Sequence, residues 1–197
     1  MKNDDYLVAW GITKQSNKAS QILALLQGEE GAVPANVGSH IRDIYESCVT
    51  EVKNVNGTIF EYLLVATLKK LGLTPFGYKA TLEKIPSIQW DLVFWDPKTS
   101  QPIVLWLTTS VRERYMLADA QGFRLKYDFP GASIFLVSMH QKEVAGFHGH
   151  EFESLDGIIY PDSAEFSDLI DRIRKISRTE LSNDAIRGSI SSGRIIY

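Results

Sequence analysis

Asp91 is an acidic residue inside an otherwise apolar, strand-like segment, IQWDLVFWD. An ionised carboxylate in such a segment is costly unless it pairs with a cation or holds a metal ion. Carboxylate oxygens are also the ligands that Mg²⁺ prefers, and phosphodiester cleavage commonly depends on that ion. Asp91 is therefore expected to have a specific partner, and a metal ion is one candidate. The alternative is a structural carboxylate at a strand end, paired with an arginine or capping a turn.

A second informative segment covers residues 106–126, WLTTSVRERYMLADAQGFRLK. It resembles the PD-(D/E)xK superfamily of restriction endonucleases, in which a strand ending in a lysine runs into a helix reading roughly K-T-S-L-R-E-R-Y-x-x-A-D. The residues that fall on this pattern are Thr109, Ser110, Arg112, Glu113, Arg114, Tyr115, Ala118 and Asp119. The resemblance extends over about residues 55–175. It implies an α/β fold with a mixed five-stranded sheet flanked by helices on both faces, double-stranded DNA as partner, and Mg²⁺ as cofactor if the protein is active.

The resemblance also implies where the metal ligands lie. In the superfamily an acid from a helix, an aspartate on the second core strand and an acid-x-lysine pair on the third strand converge. Asp91 matches the second role, and Glu61 in NGTIFEYLL matches the helical acid. A glutamate favoured by the dipole of the helix start is the structural alternative for Glu61. We predict Asp91 and Glu61 to be catalytic metal ligands.

The third strand departs from the superfamily pattern. Trp106 and Thr108 stand where the acid and the lysine are expected. Tryptophan has no oxygen ligand, and threonine has neither the charge nor the reach of lysine. Related enzymes that lack the acid can use the main-chain carbonyl of the residue between, which is Leu107 here. Thr108 is thus predicted to mark a degenerate catalytic position.

A lysine from elsewhere could replace the missing one. The candidates are Lys79, Lys84 and Lys126, and Arg112 lies one helical turn from Thr108. Arginine stays charged and is therefore a poor proton acceptor, although it can stabilise a charged transition state.

The helix that starts near Ser110 is rich in basic residues, and its N-terminus could receive a phosphate. The residues that we predict to contact the DNA backbone are Arg112, Arg124, Lys126, Lys79 and Lys84. A structural alternative is that ion pairs such as Arg112–Glu113 and Arg114–Asp119 hold this helix to the sheet.

Composition indicates one globular domain, because 197 residues with 44% hydrophobic content can form a full core. The net charge of −3 argues mildly against a non-specific nucleic-acid coat, but residues 69–84 hold four lysines and one glutamate. The apolar runs are too short to cross a bilayer. The single Cys48 fits a reducing compartment, so we expect a cytoplasmic protein without a membrane partner.

Periodicity predicts the order of elements. We expect an N-terminal helical part over residues 1–54, a core over 55–176 and a C-terminal tail over 177–197. The helices are predicted at 18–27, 39–52, from a cap at Asn56 or Thr58 to Gly72, from Ser110 to about Tyr127, and at 163–176. Strands are predicted at 77–84, 89–95, 103–108, 132–138 and 157–160. The strand 103–108 is apolar on both faces, which is typical of a central strand.

Three functions are compatible with these residues. The first is a DNA-binding protein or nuclease subunit with an eroded phosphodiesterase site, weak or inactive alone. The second is an active Mg²⁺-dependent endonuclease with a relocated basic residue. The third is an interaction protein that kept the fold and lost the nucleic acid. Because cutting two strands generally takes two sites, the partner of a nuclease would be a second copy or another nuclease subunit.

Overall fold

The computed structural model describes residues 36–48, 53–177 and 182–197. The predicted helix at 18–27 lies outside them. The described helices are α1 (Val37–Cys48), α2 (Lys53–Lys70), α3 (Arg112–Asp128), α4 (Gln141–Ala145), α5 (Ala164–Ser177) and α6 (Ser182–Arg187). The strands are β1 (Phe76–Leu82), β2 (Ile85–Asp96), β3 (Gln101–Thr108), β4 (Ser133–Ser138), β5 (Gly157–Ile159) and β6 (Ile190–Ile196).

Within these residues the strands form one six-stranded sheet in the order β5-β4-β3-β2-β1-β6. Strand β1 is antiparallel to β6 and β2, and β2 is antiparallel to β3. Strand β4 is parallel to β3 and to β5. The predicted mixed sheet is confirmed, with one strand more than expected. The additional strand is β6, so residues 190–196 are an edge strand and not the predicted tail.

Two apolar clusters cover the two faces of the sheet. The first joins β3 to α1, α2 and α5 through residues such as Ile41, Phe60 and Ile170. The second joins the opposite face to α3 through Ala118 and Leu125. Helices therefore pack on both faces, and β3 is central as predicted. Among the described helices, none has the length and apolar character needed to span a membrane.

In strands β1 and β2, the alternation of side chains between the two faces of the sheet reverses at the same level. In a regular strand, residues two apart point to the same face. Tyr78 and Ala80 are two apart, yet they belong to opposite clusters, and so do Trp90 and Leu92. The reversal in β1 is centred on Lys79, whose φ is 47°, an uncommon value for a residue with a side chain. The backbone thus changes face beside Lys79 and, in the neighbouring strand, beside Asp91.

Helix α2 differs from the prediction at its start and agrees with it at its end. The helix begins at Lys53, one turn before the expected cap at Asn56 or Thr58. Gly57, which lies between the two predicted cap residues, is therefore inside the helix. Gly72 has a φ of 67° and follows the helix, as expected of a glycine that terminates one.

Candidate active site

Lys79 brings the two predicted acidic residues together. Its Nζ lies 2.9 Å from Glu61 Oε1 and also donates a hydrogen bond to Asp91 Oδ1. In the antiparallel strands β1 and β2, Tyr78 pairs with Leu92 and Ala80 pairs with Trp90. Lys79 therefore lies across from Asp91. Helix α2 supplies Glu61 from above the same point. Three residues from β1, β2 and α2 thus form one cluster of two carboxylates and one ammonium group.

Asp91 is held on its other side by the backbone of β3. Its Oδ2 accepts a hydrogen bond from the Leu107 N–H at 2.7 Å. The paired residues of β2 and β3 run from Asp96–Gln101 to Leu92–Leu105, and Asp91 lies just beyond the last pair. The residue is only 6% exposed. Its carboxylate therefore has a fixed orientation, with one oxygen committed to β3 and the other directed at Lys79.

Burial and mutual charge set the protonation of the cluster. Burial raises the pKa of Glu61, and Lys79 only partly offsets this effect. Burial alone would lower the pKa of Lys79, but the nearby Asp91 and Glu61 carboxylates outweigh it and raise that pKa. The Tyr78 hydroxyl donates to Glu61 Oε2 at 3.3 Å, and burial raises the pKa of Tyr78, which keeps it a donor. Lys79 is therefore a cation in this arrangement.

The backbone around Lys79 is braced by β6. The pairing of β1 with β6 shifts between Tyr78 and Thr81, where Gly193 has a φ of 108°. A Cβ at Gly193 would lie 2.5 Å from Ala80 Cα and 2.6 Å from the Lys79 carbonyl oxygen. Only glycine can combine this φ with so close an approach. Strand β6 thus supports the reversal that directs Lys79 at the acids.

Gly193→Ala is expected to destabilise the protein by about 2–3 kcal/mol, because it adds a strained φ and a backbone collision. The urea midpoint of unfolding measures this change. Gly188→Ala is the control, since a Cβ there meets Asp184 O at an ordinary 3.6 Å. Equal midpoints for the two variants would contradict the role given to Gly193.

Thr108 and Trp106 lie outside this cluster. The Thr108 hydroxyl donates to the Ser110 carbonyl at 2.7 Å and so serves its own turn. The Trp106 ring packs edge-on against Trp90, with ring centroids 5.8 Å apart. Its buried Nε1 has no hydrogen-bond partner. Both side chains therefore have local packing or turn roles.

Of the three candidate lysines, Lys79 is the one that contacts the predicted acids. Lys84 lies over the Phe129 ring, with its Nζ 4.9 Å from the centroid. Lys126 pairs with Asp156 at 2.8 Å. A charged residue within the mostly buried strand FGYKATL was the sequence signal for Lys79. That signal was too weak to separate it from the other two lysines.

The basic residues of α3 have acidic partners that the sequence did not predict. Arg112 Nε lies 3.2 Å from Glu143 Oε1, and Arg124 pairs with Asp128 at 3.0 Å. Asp119 accepts backbone N–H bonds from residues 153–155. Arg112 thus contacts α4, and Asp119 contacts the loop before β5.

Glu143 lies at the N-terminus of α3, which we had considered as a place for a phosphate. Its Oε2 accepts the Val111 N–H at 2.6 Å and the Ser110 hydroxyl at 3.1 Å. Burial alone would raise the pKa of Glu143, but these hydrogen bonds outweigh it and lower the pKa. A protein carboxylate therefore takes the place of an external anion.

Glu143→Gln is expected to cost about 1 kcal/mol of stability near neutral pH, as for a lost helix cap. A lowered folded-state pKa means that the stabilisation is present above the ordinary glutamate pKa and is lost as the pH falls through the lowered value. The thermal midpoints of wild type and variant should therefore converge in acid. Glu83→Gln, at an exposed turn residue, is the control. If the difference between the thermal midpoints of wild type and Glu143→Gln did not change with pH, the Glu143 carboxylate would not be a charged cap of the helix.

The donor set of the cluster fits a hard divalent cation. Mg²⁺ is commonly bound through one or two carboxylates, with water and substrate phosphate completing its shell. Glu61 and Asp91 supply two carboxylates that converge on one point. In the part of the chain that the structure describes, no three His, Cys, Asp or Glu side chains form a closed metal cage.

Comparison with known proteins supports the fold. No family model and no curated protein matches the chain. Among solved structures, the crystal structure of the Type IIP restriction endonuclease Kpn2I matches with a TM-score of 0.50 and 17% identity. The match covers 96% of this chain and 74% of that one. Together with the mixed sheet and the helices on both of its faces, this similarity gives the chain a restriction-endonuclease-like fold.

Proposed function

We propose that this protein is a Mg²⁺-dependent endonuclease acting on double-stranded DNA, with Lys79 in the role of the lysine missing at Thr108. The observation that carries the proposal is the double contact of Lys79 Nζ with Glu61 and Asp91. A lysine that reaches both acids can also reach a phosphate or water bound between them. Of the hypotheses drawn from the sequence, the relocated basic residue has the strongest geometric support.

Asp91 and Glu61 would hold Mg²⁺, and the main-chain carbonyl of Leu107 is the third candidate ligand. When bound, the ion supplies Lewis-acid stabilisation of the scissile phosphate. The Leu107 N–H orients the Asp91 carboxylate, and Tyr78 orients that of Glu61. These two hydrogen bonds hold each carboxylate in one orientation, as supporting hydrogen bonds do when they preorganise a metal site.

Lys79 acts as a cation in this proposal. Its raised pKa, which follows from the two acids, keeps it protonated near neutral pH. A protonated lysine stabilises negative charge on a phosphate oxygen and can donate a hydrogen bond to a leaving oxygen. A protonated lysine has no lone pair with which to accept a proton from water.

DNA binding would rest on phosphate contacts from the predicted basic residues. Lys84 lies over the Phe129 ring, and the Arg112 side chain is 82% exposed despite its contact with Glu143. Arg124 and Lys126 are neutralised by acidic partners and would contribute less. In a double Lys84→Ala, Arg112→Ala variant, binding to duplex DNA should weaken and its dependence on salt should flatten.

The test of the proposal is cleavage of plasmid and linear duplex DNA by the purified chain with Mg²⁺ or with EDTA. We expect Mg²⁺-dependent cleavage that Asp91→Asn abolishes. Cleavage in EDTA, or cleavage by the Asp91 variant at the wild-type rate, would overturn the proposal.

The runner-up is a DNA-binding protein with an eroded site. The packing role of Trp106 and the local hydrogen bond of Thr108 favour it, because Trp106 offers no oxygen ligand and Thr108 no cation. Salt-sensitive DNA binding without cleavage at any Mg²⁺ concentration is the result that this function predicts. An interaction protein would show neither DNA binding nor DNA cleavage.

A further inference from the structure

A groove runs along the outer edge of the sheet, beside the short strand β5. It has a volume of about 870 Å³ and is lined by the loop before β5, by β5 itself and by the first half of α5. Among the strands that the structure describes, β5 pairs with β4 alone and is therefore an edge strand. An edge strand presents unpaired N–H and C=O groups that a further extended chain can use. We call this surface, which includes Phe147, Phe152, Ile158, Glu165 and Asp168, the β5 groove.

The register of β4 and β5 identifies a residue whose backbone is directed outward. Successive residues of a strand turn their N–H and C=O groups to opposite sides. The carbonyl of Ile134 faces β5, because it accepts the Asp156 N–H at 2.9 Å. Leu136, two residues later, therefore also faces β5, where its partner in the parallel register is Ile158. A residue that faces a parallel strand bonds to the residues before and after its partner, so the N–H and C=O of Ile158 are directed to the free edge.

The two walls of the β5 groove lie on opposite faces of the sheet. Leu169 of α5 belongs to the apolar cluster that includes α1 and α2, whereas Phe147 and Phe152 pack against the cluster that includes α3. All three side chains line the groove. The edge of β5 therefore lies between a helical wall and an aromatic wall. Because successive side chains of a strand point to opposite faces, those of an added strand would alternate between the two walls.

The helical wall is acidic. Glu165 and Asp168 line the groove from α5, and both are exposed. Hydrogen bonds from its own N–H and from the Ser163 hydroxyl lower the pKa of Glu165, which keeps this carboxylate charged near neutral pH. A third exposed carboxylate, Glu151, belongs to the loop before β5. Arg172 is the only lysine or arginine among the described residues that line the groove.

The charge of the β5 groove suits a cationic ligand. Two more of its carboxylates are already neutralised, because Asp156 pairs with Lys126 and Asp162 pairs with Arg42. Three carboxylates and one guanidinium then remain, which is a net charge of −2 with the histidines neutral. Such a surface attracts cations and repels a phosphate backbone. Strand β5 is also three strands away from β2, or roughly 14 Å, so the groove is separate from the acidic cluster.

We propose that the β5 groove binds an extended, basic segment of a partner protein, which joins the sheet as a strand beside β5. Ile158 exchanges backbone hydrogen bonds with this segment. Lysine or arginine side chains at every second position contact Glu165 and Asp168. The apolar side chains between them contact Phe147 and Phe152. The backbone thus supplies affinity and the alternation of basic and apolar residues supplies specificity, independently of any nuclease activity.

The first test is the binding of a fluorescein-labelled peptide with the sequence Lys-Val-Lys-Val-Lys-Val and an amidated C-terminus to the full chain, measured by fluorescence anisotropy. We expect saturable binding of this alternating peptide. The peptide Lys-Lys-Lys-Val-Val-Val has the same charge without the alternation, and it should bind at least ~10-fold more weakly, because its side chains meet the wrong walls. The peptide Glu-Val-Glu-Val-Glu-Val should not bind, because the acidic wall repels it.

The second test reverses one charge of the helical wall. Asp168→Lys should weaken binding of the alternating peptide at least ~10-fold, because repulsion replaces attraction. Asp171→Lys is the matched control, since Asp171 is an acid of the same helix that does not line the groove. Its affinity for the peptide should stay within about two-fold of wild type.

The third test concerns the backbone of β5. Ile158→Pro removes the outward N–H and leaves the bonds to β4 in place, a substitution that edge strands tolerate. It should weaken binding at least ~10-fold, with the thermal midpoint measured on the same preparation. In wild type with isotopically labelled isoleucine, exchange of the Ile158 amide proton should slow at least ~10-fold when the peptide is added, because that N–H gains a partner.

Absence of saturable binding of the alternating peptide would overturn the proposal. Equal affinities for the two lysine peptides would do so too, because charge alone would then explain the binding. Equal losses in Asp168→Lys and Asp171→Lys would place the peptide outside the β5 groove. Unchanged exchange of the Ile158 amide proton with the peptide bound would rule out strand addition. Displacement of the peptide by duplex DNA would overturn the proposal by assigning the groove to nucleic acid.

Discussion

Lys79→Met is expected to lower Mg²⁺-dependent DNA cleavage at least ~100-fold, which is the usual scale for loss of one positioned charge or proton donor at a reacting group. Methionine keeps most of the length of lysine and removes the ammonium group that contacts Glu61 and Asp91. Single-turnover cleavage of a linear duplex at saturating Mg²⁺ measures the effect on the chemical step. Duplex binding in Ca²⁺ measures whether DNA affinity is retained.

The other two candidate lysines provide matched controls. Lys84 lies over Phe129 and Lys126 pairs with Asp156, so Lys84→Met and Lys126→Met leave the acidic cluster intact. Their single-turnover rates at saturating enzyme should stay within a few-fold of wild type. A large loss in either control, together with a mild effect of Lys79→Met, would assign the catalytic role to a different lysine.

Lys79→Met should also change how stability depends on pH. Without the ammonium group, Asp91 faces Glu61 with no counter-ion, so the already raised pKa of Glu61 rises further. A raised folded-state pKa means that stability is present below the ordinary glutamate pKa and is lost as the pH rises through the raised value. The variant should therefore be closest to wild type in mild acid, and urea unfolding at several pH values checks this.

Asp91→Asn is expected to reduce cleavage at least ~1,000-fold, because it removes a metal ligand and the charge that orients Lys79. Asparagine has the same shape and can still accept the Leu107 N–H through its side-chain oxygen. The stability change should therefore be small, about 1 kcal/mol. Cleavage rate and urea midpoint are measured on the same preparation, so that loss of activity is separated from loss of folding.

Asp96→Asn is the control on the same strand. Asp96 accepts the Lys98 N–H at 2.9 Å in the turn after β2 and takes no part in the cluster. Its cleavage rate should equal that of wild type. If both variants lost activity equally, or if both cleaved normally, Asp91 would not be the metal ligand that we propose.

The local sequence pattern predicted most of the helices and strands. It also indicated that Asp91 needs a specific partner. The period of apolar residues predicted the central strand at 103–108, the helix after it and the strands on either side. These signals are readable because each depends on residues a few positions apart. The cost of a carboxylate inside IQWDLVFWD likewise required a partner for Asp91, whichever residue supplied it.

The tertiary structure decided which residues meet that requirement. Lys79 reaches Asp91 because β1 and β2 pair in one register and both change face at that level. That reversal is braced by Gly193, more than a hundred residues further along the chain, in a Ser- and Gly-rich segment that had been predicted as a tail. Glu143 caps α3 from 32 residues away. Strand register, bulges and distant caps depend on contacts between remote segments, which a local sequence pattern does not encode.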